Sequence, residues 1–287
     1  MKLLYASDIH VNRRHVESLL DVAERERLGA VVIGGDIVPK DIFGAHGINK
    51  LVAAQRKYLE RDFVPVLEKF RKRNASVAVF LDLANDDFFV NRDILEAAEN
   101  EGVFHLLHNS IHPLTDELDI VGYMAVPITP FGIKDWEKPD KKGQYPPIGS
   151  TTHGWVSTKE GGIGLLKHTI NVREDPSIEE ELARLEKRIT EPFLFVCHAP
   201  PYMTNLDVLY TGEHVGSVAV REFVEKFGPL GKGLLRASFH GHIHESPNVS
   251  GSTVDYVAGV ECWNPGQEDG NLRYVVYEIR DIGHTFR

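Results

Sequence analysis

The sequence predicts an α/β fold, with layered sheets and outer helices, on two observations. Short apolar runs alternate with segments whose apolar residues recur at helical spacing, and the last such pair is followed by further strands. The 287 residues are 42% hydrophobic, ample for a buried core without disulfide staples. In chain order, Lys2 to Ser7 is a strand, and Val16, Leu19, Leu20 and Ala23 mark a helix that Gly29 ends. Ala30 to Gly34 is a second strand, and a long helical stretch from about Gly47 to Arg73 carries Pro65 as a kink or break. Ser76 to Leu83 is a third strand, Asn91 to Glu101 a helix, and Val103 to Leu107 and Leu118 to Val126 further strands. Ile178, Leu182, Leu185 and Ile189 define a helix that starts after Asp175-Pro176, read as cap and first-turn proline. Phe193 to Cys197 is a buried strand, Ser217 to Phe227 a helix, and Leu234 to Phe239 a strand. Thr253 to Val257 and Leu272 to Ile279 alternate as late, mostly antiparallel strands.

Residues 1–287 read as one domain with an irregular insert at about 129–173. That segment holds seven glycines, and seven Lys or Arg against four Asp or Glu, inside a chain of formal net charge -10. A long irregular segment in a compact domain is most often functional or disordered. Its Lys134, Lys138, Lys141, Lys142, Lys159 and Lys167, with Trp136 and Trp155, make a candidate lid for an anionic substrate; the plainer reading is a solvated surface loop.

The acidic charge argues against a general affinity for duplex nucleic acid or anionic membranes. The N-terminus meets Asp8 too soon for a signal-peptide core or a membrane span, and Cys197 and Cys262 supply no disulfide framework, so a cytoplasmic protein is expected. The 14 histidines are the informative excess, because neutral imidazole is a common transition-metal ligand.

Five short polar clusters each follow directly on an apolar run: Asp8-Ile9-His10, Gly34-Gly35-Asp36, Asn85-Asp86-Asp87, His198, and His240-Gly241-His242-Ile243-His244. In open α/β sheets the carboxyl ends of the strands share one rim, where side chains from distant parts of the chain converge. Singly, Asp8 reads as a helix cap, Gly34-Gly35-Asp36 as a turn and His198 as a core histidine. Independent caps and turns give no reason for this set in this order.

With those clusters the chain resembles the calcineurin-like metallophosphoesterase superfamily, whose motifs run Asp-x-His, Gly-Asp, Gly-Asn-His-Asp/Glu, a later His, and Gly-His-x-His. The match spans residues 8 to 244, and Asn264-Pro265-Gly266 looks like a turn common in smaller members. The resemblance implies a two-sheet β-sandwich of mixed strands flanked by helices, four layers α/β/β/α, with two metal ions at the strand ends. Carried over by position, Asp8, His10 and His244 would hold the first metal, Asn85, His198 and His242 the second, and Asp36 would bridge them. Mixed carboxylate, imidazole and amide ligands suit Mn, Fe, Zn or Ni. The implied reaction is phosphate-ester hydrolysis by a metal-bridging hydroxide, with no nucleophilic side chain needed.

One position departs from the pattern. Ala84-Asn85-Asp86-Asp87 places Asp86 where the family has a histidine that assists the leaving group or binds phosphate. An aspartate beside two dications has a lowered pKa and is a poor general acid. Members lacking that histidine tend to act on phosphodiesters, so a small phosphodiester or nucleotide-like substrate is expected ahead of a phosphomonoester or phosphoprotein. The catalytic candidates are Asp36, Asp86 and His240, the nearest substitute donor in sequence; His240 also reads as a core histidine bonded to backbone. Tyr202 and His153 are candidates for substrate contact, and His46 stands ten residues beyond Asp36 in a loop. The rival from another class is a scaffold that keeps the fold for protein assembly, as one retromer subunit does. Seven retained ligand positions speak against it.

Overall fold

The computed structural model describes residues 1–10, 13–40, 47–158, 164–267 and 271–279. The strands run, in chain order, β1 Lys2–Ala6, β2 Ala30–Ile33, β3 Ala78–Leu81, β4 His105–Leu106, β5 Ser110–Thr115, β6 Leu118–Tyr123, β7 Val126–Pro127 and β8 Glu137–Lys138. They continue as β9 His153–Thr158, β10 Gly164–Thr169, β11 Phe193–Cys197, β12 Leu235–Phe239, β13 Val254–Val257, β14 Val260–Trp263 and β15 Val275–Glu278. The helices are α1 Arg13–Arg25, α2 Ile48–Tyr58, α3 Val64–Arg73, α4 Arg92–Asn100, α5 Ile178–Glu186, α6 Val218–Phe227 and α7 Ser246–Ser250.

Two mixed sheets dominate. The first has the order β15-β1-β2-β3-β4, parallel except for the edge strand β15. The second has the order β13-β14-β12-β11-β6-β5, with β14, β12, β11 and β6 parallel and both edges antiparallel. Strand β11 shows why the central strands read as unbroken apolar runs. Leu194 and Val196 face a core shared with the first sheet, while Phe193, Phe195 and Cys197 face α5 and α6. Tyr5 and Phe239 meet across the two sheets with ring centroids 5.2 Å apart. Helices α1 and α3 cover the first sheet and α5 and α6 the second, which gives the α/β/β/α layering.

Several elements differ from the sequence reading. The stretch 47–73 is helical from Ile48 to Arg73 but changes register. A π-turn at Leu59–Phe63 precedes Pro65, and the Val64 N–H donates to Leu59 O. Proline lacks an N–H for the regular ladder, and a π-turn absorbs the mismatch. Helix α5 is capped by Ser177 rather than Asp175: the Ser177 hydroxyl accepts the Glu180 N–H, and the Glu180 carboxylate accepts the Ser177 N–H. Segment 129–173 is not uniformly irregular. It contributes β8 and pairs β9 with β10 antiparallel, with Trp155 opposite Lys167. No helix among the described residues is long and apolar enough to cross a membrane.

Candidate metal centre

The ends of five parallel strands deliver the polar clusters to one rim. Asp8 and His10 follow β1, Asp36 follows β2, Asn85 follows β3, His198 follows β11, and His242 and His244 follow β12. The chain turns sharply as it leaves β1, β2 and β12, and four of these residues adopt left-handed backbone: Asp8 at φ 58°, His10 at 33°, Asp36 at 51° and His242 at 68°. Non-glycine residues rarely hold that conformation, and such strain collects at functional sites.

One ligand atom each from Asp8, His10, Asp36 and His244 lies within 4.8 Å of the others. His198 Nε2 is 3.3 Å from Asp36 Oδ2 and 3.8 Å from Asp8 Oδ1, so Asp36 stands between His198 on one side and His10, at 4.0 Å, on the other. The His198 and His242 ring centroids lie 5.5 Å apart. Three buried polar atoms here find no hydrogen-bond partner: Asn85 Oδ1, His198 Nε2 and His10 Nδ1. Buried acceptors are not left unpaired without cause. His198 Nδ1–H donates to Gly34 O at 2.7 Å, which turns Nε2 toward Asp36. These donor atoms fit a transition-metal site of mixed nitrogen and oxygen ligands.

Burial alone would raise both aspartates. His198 reverses this for Asp36, which falls to about 2, and His244 with His198 holds Asp8 well below the carboxylate range. Burial opposes a proton on His198, but the Asp36 and Asp8 carboxylates overcome it and raise His198 to about 9. Burial wins at His10, lowered to about 4, and at His242, lowered to about 3. The protein's own groups therefore set ionised carboxylates beside two neutral imidazoles, His10 and His242, and a protonated His198.

Of the catalytic candidates, Asp36 is at the middle of the cluster, and its Oδ1 accepts the Asp86 N–H at 2.9 Å. Asp86 lies 3.8 Å from both His10 Nε2 and Lys40 Nζ. The expectation of a lowered pKa rests on two dications. From the chain's own groups, burial and then Asp36 push Asp86 up to about 7. His240 has the surroundings of its second reading, a core histidine bonded to backbone. Its Nδ1–H donates to Cys197 O and Ala199 O at 3.0 and 2.9 Å, its Nε2 takes the Ser238 hydroxyl at 2.7 Å, and burial lowers it to about 4. Both of its ring nitrogens are engaged within the second sheet.

Tyr202 lines a cavity of 330 Å³ with Gln144, Tyr145 and His214. Behind it, the buried Asp207 carboxylate takes the His214 Nδ1–H at 2.7 Å and the N–H groups of Met203, Thr204 and Gly216. His153 is exposed at the start of β9. The lid lysines are largely spent. Lys134 is buried against Glu137, Lys138 pairs with Glu181, Lys141 with Glu222, Lys142 with Glu180, and Lys167 lies over Trp155. Trp136 is buried and donates Nε1–H to Asp87 O. Lys159 and His46 lie outside the described residues.

Four supporting residues had no separate place in the sequence reading. The buried Asp87 carboxylate accepts the N–H groups of Ile37, Val38 and Ala84, tying the Asp36 loop to the Asn85 loop. Buried Gln55 links Pro39 O to Asp86 O. Asp207 and Lys40 complete the set. Asn264 explains the Asn-Pro-Gly turn: its Nδ2 donates to Gly241 O and Ile243 O, bracing the histidine loop. The capping-type signals of Asp and Gln carry no partner in the sequence, so only the fold reveals what they join.

No protein-family model and no curated protein matches the chain. Solved structures do match in fold. A dimetal phosphatase from Danio rerio is similar with a TM-score of 0.52 at 12% identity, over 96% of this chain and 91% of that one. The protein TT1561 of Thermus thermophilus is similar with a TM-score of 0.55 at 12% identity, over 92% of this chain and 88% of that one. The family resemblance read from the motifs holds at the level of fold: two mixed sheets flanked by helices, with the polar clusters at the strand ends.

Proposed function

We propose that this chain is a binuclear metal-dependent phosphoric ester hydrolase. Asp8, His10 and His244 hold one ion, Asn85, His198 and His242 the other, and Asp36 bridges them. The observation that carries the reading is the convergence of ligand atoms from both sheets on one rim, with Asn85 Oδ1 buried and unpaired and His198 Nε2 turned to Asp36. Two transition-metal ions there, of the Mn, Fe, Zn or Ni type, supply Lewis acidity and lower the pKa of water toward neutrality. The chain's own part is to hold the ligands in strained turns, to fix the His198 tautomer through Gly34, and to keep Asp36 ionised through His198.

A small phosphodiester or nucleotide-like substrate is the first reading, because Asp86 stands where a proton-donating histidine would serve a poorer leaving group. Tyr202, which lines a cavity of 330 Å³, remains the candidate contact for its organic part. Lys40, beside Asp86, favours the phosphomonoester alternative by adding a cation at the mouth. His153 is a candidate contact only if the β9–β10 hairpin reaches the substrate.

The test compares bis(p-nitrophenyl) phosphate with p-nitrophenyl phosphate in the presence of Mn, with Asp36→Ala as the blank. Turnover of the diester that disappears in Asp36→Ala is the expected result, and a monoester preference moves the assignment to a phosphatase. Equal turnover by wild type and Asp36→Ala sinks the binuclear reading. No turnover of either ester points instead to a metal-binding scaffold.

A further inference from the structure

Lys40 belongs to none of the motifs and to none of the seven ligand positions, yet the fold brings it to the mouth of the centre. Its Nζ lies 3.2 Å from His10 Nε2 and 3.8 Å from Asp86 Oδ2, with the side chain 33% exposed. Among the described residues it is the one lysine or arginine in ion-pair contact with Asp8, Asp36 or Asp86. The placement is built into the fold. Gln55, fully buried on α2, donates Nε2–H to Pro39 O at 2.9 Å and to Asp86 O at 2.8 Å, and its Oε1 accepts the Phe88 N–H at 2.9 Å. One amide thereby sets the residue before Lys40 against the backbone of Asp86.

A carboxyl side chain brings no positive charge, whereas a lysine ammonium carries three N–H donors and a full charge. The contact of Lys40 with Asp86 thus puts a cationic donor at the mouth. We propose that Lys40, steered by Asp86, is the chain's own phosphate ligand, donating to a non-bridging oxygen of the substrate's phosphoryl group. The contact favours phosphoryl dianions, such as monoesters or a terminal phosphate, over diester monoanions, because the dianion gains more from one added cation. This rests on the phosphoesterase reading and deepens it.

The test is binding of inorganic phosphate to the Mn-loaded protein by titration calorimetry, with Mn content measured on every sample. Lys40→Met should weaken phosphate binding by about tenfold or more at unchanged Mn content, the size expected for losing a hydrogen bond from a charged donor. Lys40→Gln, which keeps a polar stem without the charge, should match it, and Lys40→Arg should retain most of the affinity. With the two nitrophenyl esters, kcat/KM of Lys40→Met should fall further for the monoester than for the diester. Undiminished phosphate binding in both uncharged variants overturns the proposal, as does loss of Mn along with phosphate, which would make Lys40 part of the metal seat. A wild-type protein that loads Mn but binds no phosphate also overturns it. Lys40-dependent phosphate binding without hydrolysis of either ester upholds Lys40 and sinks the hydrolase reading instead.

Discussion

His198 carries more consequence than any other single side chain, because its two nitrogens face opposite demands. Nδ1 is bound to Gly34 O, and Nε2 faces two carboxylates that raise the ring to about 9 from an ordinary 6.5. A histidine raised on folding lends stability that is fully present below 6.5 and is lost as pH climbs through about 9. Buried His10, His108, His240 and His242 act in the other sense, since burial lowers them to about 4, 4, 4 and 3. Their unfolded forms take up protons below 6.5 while the folded forms do not, so stability also declines as the solution turns acidic. In chelator the contribution of His198 should therefore be lost as pH climbs from 6.5 through about 9, an alkaline decline on the order of 3 kcal/mol. Thermal unfolding across that range, with and without His198→Gln, measures it; stability that keeps rising to pH 9 in the wild type would refute the His198 assignment. At this scale the seven residues proposed as ligands stood out because their residue types are rare and their order is specific, and the fold brings them to one rim. Lys40 did not stand out, since a loop lysine is by default a solvated one, and His240 read two ways until its partners were seen.

At the scale of elements, the centre depends on how closely the strand-end turns approach one another. Gly241 begins the loop after β12, and a Cβ there would collide with Ser7 Oγ and Asp8 Oδ2 at the end of β1. The same loop donates the His242 N–H to both Asp8 oxygens at 3.1 Å. A methyl group must push the two turns apart, so Gly241→Ala should cost about 1–3 kcal/mol and lower Mn occupancy. Urea unfolding and metal analysis check the pair of effects, and a variant with wild-type stability and Mn content would show that the close approach is not needed. The strong periodic segments were legible: β11, α1 and α6 follow from unbroken apolar runs or regular helical spacing. The shorter ones were not. Strand β5 has few buried residues at a sheet edge, β9 and β10 lie in a glycine-rich stretch, and β14 is a short run joined to β13 by a tight turn through Ala258 and Gly259.

For the molecule as a whole, the proposed ligand set is divided between the sheets: Asp8, His10, Asp36 and Asn85 from the first, His198, His242 and His244 from the second. The layering was foreseeable from strand-helix alternation, but the pairing of β15 with β1 joins the two ends of the chain and leaves no local signal. Ions held by the proposed ligands would clamp the two sheets at one rim, while the shared core of Leu3, Tyr5, Val196 and Phe239 already holds them together elsewhere. Chelation should consequently leave the far-UV circular dichroism unchanged and lower Tm, unlike small metal-dependent domains that unfold when stripped. An ion present at a hundred times its Kd adds about 2.7 kcal/mol per site. Because His198 is protonated up to about 9 in the chain alone, each ion that takes its Nε2 must displace a proton. Calorimetry of Mn binding in buffers of different ionisation enthalpy should show release of close to one proton at neutral pH, with affinity rising as pH approaches 9. Unfolding on chelation at room temperature would mean that the rim is not preformed by the two sheets, and Mn binding without proton release would place the ion away from His198.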